Sequence, residues 1–221
     1  MATFKEMQNR ISLDYLNRTD LENETKRAII RAVKFYEKQR LWFNLTATAL
    51  AIGTASTTVA IPADFLVLDY ATVANNGNND IMAIRSFDRI AYQNRGSTSG
   101  VPAEICYWRN MFNFAPKPSS ATSITVHYTH SLPALSADTD TNHWTSAGED
   151  LIVYRATYDL MANVLRIADK DLLASYKALE VESFKMLQFG NDLQQGVGNE
   201  GAVVGTNHAQ SPKTPHKPPP A

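Results

Sequence analysis

Apolar residues recur every three or four positions at both ends of the chain and closer to every second position between them. Phe4, Met7, Ile11 and Tyr15 form one helical face. Thr3 followed by Glu6 has the capping-box spacing that satisfies free backbone N–H groups at a helix start, and Asn17-Arg18 reads as the stop. Thr19 with Glu22 repeats that spacing and predicts a longer helix to about Leu41, with Leu21, Ala28, Ile29, Ala32 and Tyr36 as its apolar stripe. Arg27, Arg31, Lys34 and Lys38 align on the opposite side, with Asp20 and Glu24 nearer the start, the polarity that the helix dipole favours.

From Trp42 to about His130 the period shortens. Asn44–Ala49 and Thr57–Ile61, either side of Gly53, predict a hairpin, and Phe65 to Val73 a strand. Asn75 to Asn79, built on Asn and Gly, predicts a tight turn. Ser86 to Gln93 predicts a short helix, and Arg95 to Gly100 a loop. Glu104–Trp108 and Met111–Phe114 predict a second hairpin, and Ser123 to Tyr128 a last strand with Ile124, Val126 and Tyr128 on one face. Short strands with frequent turns predict a compact antiparallel sandwich or barrel.

Helices return after a loop from Leu132 to Gly148. Leu151, Tyr154, Tyr158, Met161 and Leu165 form one stripe, and Ile152, Ala156, Leu160, Val164 and Ile167 cover much of the rest. Only Arg155, Asp159 and Arg166 make a polar strip, so this helix must be buried on several sides, within its subunit or against a neighbour. Asp169 to about Leu193 predicts a second amphipathic helix with Leu172, Tyr176, Leu179 and Leu187 inward, and Val181 and Phe189 off that face.

The fold class is therefore α+β: a helical layer drawn from both chain ends (1–41 and 147–194) with an inserted antiparallel β domain (42–146). A Gly/Pro-rich extended tail (195–221) follows. Its composition cannot offset its ordering entropy alone, and stretched out it would reach on the order of 80–90 Å. Both a linker remnant and a peptide that orders on a partner fit it.

Twenty-one Lys and Arg against 22 Asp and Glu leave a formal charge of −1, which disfavours bulk-charge binding to nucleic acid. The stripe Arg27, Arg31, Lys34, Lys38 could line a DNA-facing surface, or serve as a solvated face or as ion pairs to a neighbouring subunit. No apolar run approaches membrane-span length, and the first residues lack the apolar stretch of a secretory signal. The lone Cys106 excludes an internal disulfide and reads as a small buried hydrophobe. No phosphate loop, nucleophile elbow or zinc-helix motif occurs, so no enzyme and no cofactor are expected. His127 and His130, three apart on a strand, would face opposite ways. Asp138, Asp140, Asn142 and Glu149 do have the oxygen spacing of a calcium loop. Against this, His143 occupies the position that needs glycine, and the preceding Ser131-Leu132-Pro133-Ala134-Leu135 is no helix. Asx turns capping the next helix are the competing account.

One ordered series of motifs carries a resemblance. A helical start leads to Ile61-Pro62-Ala63-Asp64-Phe65-Leu66, then Gly100-Val101-Pro102, an aromatic strand with Tyr107, and Phe114-Ala115-Pro116-Lys117-Pro118. The strand with Tyr128 follows, then Leu132-Pro133-Ala134-Leu135-Ser136, a loop with Thr141-Asn142 and Trp144, and the helix from Asp150 through Tyr154. Over roughly residues 3 to 190 the chain resembles the head–tail adaptor (connector) proteins of short-tailed bacteriophages. The resemblance implies a structural virion protein of the tail, assembled in the host cytoplasm. It would form a homo-oligomeric ring, usually of twelve, that binds the portal protein, seats the tail nozzle and often fibres, and passes DNA. Interface candidates are Arg27, Arg31, Lys34, Lys38, Val181 and Phe189. Two other readings stay open: another tail component (nozzle or completion protein), and a calcium-dependent binding module, for carbohydrate among others, resting on Asp138, Asp140, Asn142 and Glu149.

Overall fold

The computed structural model describes residues 2–96 and 98–203, with side chains to residue 194. Among the described residues there are five α-helices and a seven-stranded mixed sheet, so the chain is α+β. The N-terminal helix α1 (Phe4–Asn9) carries the expected capping box: Thr3 Oγ1 accepts from the Glu6 amide at 3.2 Å, and Glu6 accepts from the Thr3 amide at 2.6 Å. It runs into a π-helical turn, Arg10–Tyr15, and stops at Asn17, whose φ of 48° is left-handed.

The second capping box does not form. Helix α2 (Glu22–Tyr36) starts after Leu21 with no side-chain cap. Glu22 is drawn instead to Lys5 at 3.1 Å and Lys26 at 3.2 Å, and so does not reach back. The helix also ends at Tyr36, short of Leu41. Buried Asn44 explains this: it donates to the carbonyls of Glu37 and Gln39 and accepts from the Leu41 amide, satisfying the chain beyond the helix end.

The strands follow as β1 (Leu45–Ile52), β2 (Thr58–Ala60), β3 (Phe65–Asn75) and β4 (Asn78–Ile84). After helix α3 (Phe87–Asn94) come β5 (Ser99–Gly100), β6 (Glu104–Trp108), β7 (Met111–Ala115), β8 (Lys117–Pro118) and β9 (Thr122–His130). Two tight turns are as expected: Asn76 and Gly77 (φ 49° and 83°) join β3 to β4, and Arg109 and Asn110 (φ 51° and 59°) join β6 to β7. The expected hairpin around Gly53 is absent. The sheet order is β1-β9-β3-β4-β6-β7-β2, so β1 pairs with β9 and β2 with β7. Nor is the sheet wholly antiparallel. Strands β4 and β6 pair in parallel (Ala83 with Glu104, Ile84 with Ile105), because α3 supplies the crossover that parallel neighbours require. A small parallel ladder joins β5 to β8.

Helix α4 (Glu149–Asp159) continues as a π-helical turn, Leu160–Val164, and stops at Arg166 with φ 52°. Helix α5 (Lys170–Val203) is opened by Asp169, whose carboxylate accepts from the Asp171 and Leu172 amides, both at 3.0 Å. Its backbone thus extends past Gln195, into the segment expected to be extended; residues 204–221 lie outside the described residues. Two main apolar clusters fill the molecule. One joins Phe4, Met7, Ile11, Ala28, Ile29 and Trp144 to Leu151, Ile152, Ala156 and Leu160. The other is the sheet interior, with Val73, Met82, Ile105, Phe112, Phe114, Ile124, Val126 and Tyr128.

Candidate interaction surfaces

The alternation of acid and base along α2 leaves its outer side cationic. Arg27, Arg31, Lys34 and Lys38 are all exposed, as their spacing predicts. Arg31 is tied within its own subunit: its Nε lies 3.0 Å from Asp159 on α4. Among the described residues, Arg27, Lys34 and Lys38 make no ion pair. Beside them Phe35 stands 55% exposed, with the Arg155 guanidinium 4.3 Å from its ring centroid.

Helix α5 is rotated from the expected setting. Tyr176 and Leu187 do turn inward, but Leu172 and Leu179 are exposed. Glu180 takes the inward position instead and is 1% exposed. It accepts from the Tyr36 hydroxyl, from Arg155 Nη1 at 3.2 Å and from Lys177 Nζ at 2.8 Å. Burial alone would push this carboxyl up; the bonds from Lys177 and Tyr36 and the charge of Arg155 outweigh it and hold the group below its ordinary range. A glutamate in a helix otherwise reads as solvent-facing, so only its spacing from Tyr176, Phe184 and Leu187 pointed to this anchor. Val181 and Phe189 are exposed, as expected. The rotation leaves Leu172, Leu179, Met186 and Leu193 outside as well, at intervals of seven residues.

The helix expected to be buried on several sides finds its cover within its own subunit. In α4 and the π-helical turn that continues it, Leu151, Ile152, Val153, Ala156, Leu160 and Met161 are buried inside the subunit, leaving chiefly Val164 open. The chain turns away at Arg166, so the helical stretch also ends before Ile167.

The calcium-like spacing does not make a site. Asp138 lies 3.2 Å from Lys26 and 3.8 Å from Lys5, and Lys26 foremost holds its carboxyl below the ordinary range. Asp140 accepts from the amides of Ser136 and Ala137, both at 2.7 Å, which likewise lower it. Asn142 accepts from the Trp144 amide and donates to the Pro133 carbonyl, and Glu149 pairs with Arg10 at 3.0 Å. Each oxygen faces a different protein partner, and among the described residues no acid, histidine or cysteine group is placed to hold a metal. His127 stacks on Tyr70 with centroids 4.0 Å apart, while His130 Nδ1 lies 3.4 Å from Asp64. Cys106 is a buried free thiol that burial pushes up.

One surface on the strands escapes the periodicity. Phe65, Val67, Ile84, Phe87, Tyr107 and Trp108 line a groove of ≈ 680 Å³. Its aromatic floor includes Phe87 stacked on Trp108, centroids 5.3 Å apart. The adjacent aromatics at the end of β6 were the only hint of it. Among the described residues no helix is long and apolar enough to cross a membrane. The family described as SU10 adaptor protein matches the chain over residues 2–201, and a comparison with curated proteins finds no match.

Proposed function

The chain belongs to the SU10 adaptor protein family, which makes it a phage structural adaptor, and from that premise we propose that its copies close into a ring joining the portal to the tail. The ring would hold twelve subunits, extend the DNA channel and sit in the virion tail, after assembly in the host cytoplasm. Residues 1–41 and 147–194 would form its wall and face the portal. Residues 42–146 would project as a β-rich platform for the nozzle and fibres, with the aromatic groove at Trp108 as a docking surface. The segment 195–221 would engage the portal or a neighbouring subunit.

The family match over nearly the whole chain carries this reading. The near-neutral balance of charge supports it, because a conduit rich in lysine would hold DNA through counterion release. The apolar surface that favours assembly lies on α5 rather than on α4, since that is where large hydrophobic residues stand exposed. A ring needs two different faces per subunit, one docking on the other.

Mixing the purified protein with portal rings and imaging the products tests the proposal. Stacked rings of adaptor on portal are expected; separate species at every salt concentration would overturn it. A chain ending after Val203 is expected to keep its melting temperature and lose portal affinity. Unchanged affinity would confine any role of segment 195–221 to its first nine residues and remove the role of the rest. Antibody labels landing at the distal end of the tail, away from the portal, would instead favour a nozzle or completion protein.

A further inference from the structure

We propose that the outer seam of α5 in one copy docks on the outer face of α2 in a second copy of this chain. The inference rests on the ring reading above and names its contact.

The seam is Leu172, Leu179, Met186 and Leu193, exposed by 37%, 38%, 67% and 55%. A seven-residue repeat drifts only about 20° per step around an α-helix, so these four side chains make a nearly straight apolar line about 31 Å long. Phe189 lies on its flank, one turn from Met186 and 61% exposed. Such a line on an outer helix face is the geometry of helix-to-helix packing, not of a solvated surface.

Two observations choose the occupant. The first is charge. Asp171 and Glu182 flank the seam, both exposed and, among the described residues, neither in an ion pair. Across the subunit, Arg27 and Lys34 on α2, with Lys38 just past its end, are cations in the same condition among the described residues. Acids that lack bases and bases that lack acids, on two different faces of one chain, are complementary between copies. The second is shape. Phe35 projects from the α2 face, whereas beside the seam Leu151, Tyr154, Leu179, Glu182, Met186 and Leu187 line a groove of ≈ 460 Å³ between α4 and α5. The phenyl ring of one copy is the knob that this groove takes. The contact joins unlike faces, as ring closure requires; a seam packed on its own copy would give a closed pair instead.

Cysteine pairing in the full-length chain, alone and on portal rings, tests the contact. The double variant F35C/M186C, oxidised, is expected to give a ladder of covalent multimers beyond the dimer, and each single variant none. Native Cys106, 4% exposed, stays out of the ladder. Dimers from M186C alone, or assembled particles without cross-links in the double variant, would overturn this contact and leave the ring reading standing. Absence of any multimer in the unmodified chain, with or without portal, would remove both.

Charge exchange gives a second measurement. Glu182→Lys and Lys34→Glu should each raise the concentration for half-assembly about fivefold, and the two together should restore it. No effect of either single change, or no restoration, counts against the contact.

Discussion

The Tyr36 hydroxyl donates to the carboxylate of Glu180, a bond between two buried side chains 144 residues apart. It ties the N-terminal helices to α5, and Arg155 joins from α4, so one carboxylate links three helices.

Removing that carboxylate should loosen all three. Glu180→Ala is expected to cost about 2–4 kcal/mol, since it strands a buried hydroxyl and a half-buried guanidinium, and Tyr36→Phe about 1 kcal/mol. The carboxyl titrates below its ordinary 4.5 in the fold. Its stabilisation is therefore fully present above that value and fades as the pH falls through the lowered one. Denaturant melts at pH 7, 4 and 3 should show the gap between the native chain and Glu180→Gln closing toward acid. A gap that stays constant would show that the charge contributes nothing.

Gly148 precedes α4 with an ordinary negative φ, so its small size serves packing rather than backbone freedom. A Cβ there would meet Trp144 Cε3 at 2.7 Å, and Trp144 is 1% exposed and cannot step aside. Gly148→Ala should lower stability by about 1–3 kcal/mol, read as a drop in melting temperature. An unchanged melt would mean that the indole has room to shift.

Arg166 ends the α4 region in the left-handed region at φ 52°, where a side chain strains the backbone. Arg166→Gly should stabilise the chain by about 0.5–1 kcal/mol. A loss of stability would reveal a role for the guanidinium that outweighs the strain.

Calcium should leave the protein unchanged. With Asp138 held by lysines and Asp140 by backbone amides, isothermal titration is expected to give no binding heat, and added calcium no change in melting temperature. A saturable signal lost in Asp140→Asn would reverse that conclusion.

Local chemistry was legible, and distant pairing was not. Asn76-Gly77 announces its turn because left-handed conformations are cheap for those residues, and Thr3 with Glu6 announces its cap. The same spacing at Thr19 and Glu22 misleads, because Lys5 lies close enough in space to take the glutamate. Nothing near Gly53 says that β1 will prefer β9 to its neighbour in sequence. On the surface, Arg27, Lys34, Val181 and Phe189 were found by periodicity. The seven-residue seam was missed because its leucines looked like core until buried Glu180 reset the helix. Whether the subunit or a neighbour covers α4 could not be read for the same reason: periodicity counts greasy positions but cannot count the helices arriving to cover them.

Strand β9 sits between β1 and β3, though among the described residues it is the last strand to leave the ribosome. Until residue 130 has been made, β1 and β3 have no partner at those edges, and the emerging chain carries open hydrogen-bonding rims that invite clumping. Synthesis therefore imposes an order: the sheet can close only when its final strand is threaded into the middle, and α4 and α5 are translated after that. A product cut short before Thr122 would be a sticky fragment rather than a smaller adaptor, because the sheet's middle place would stand empty.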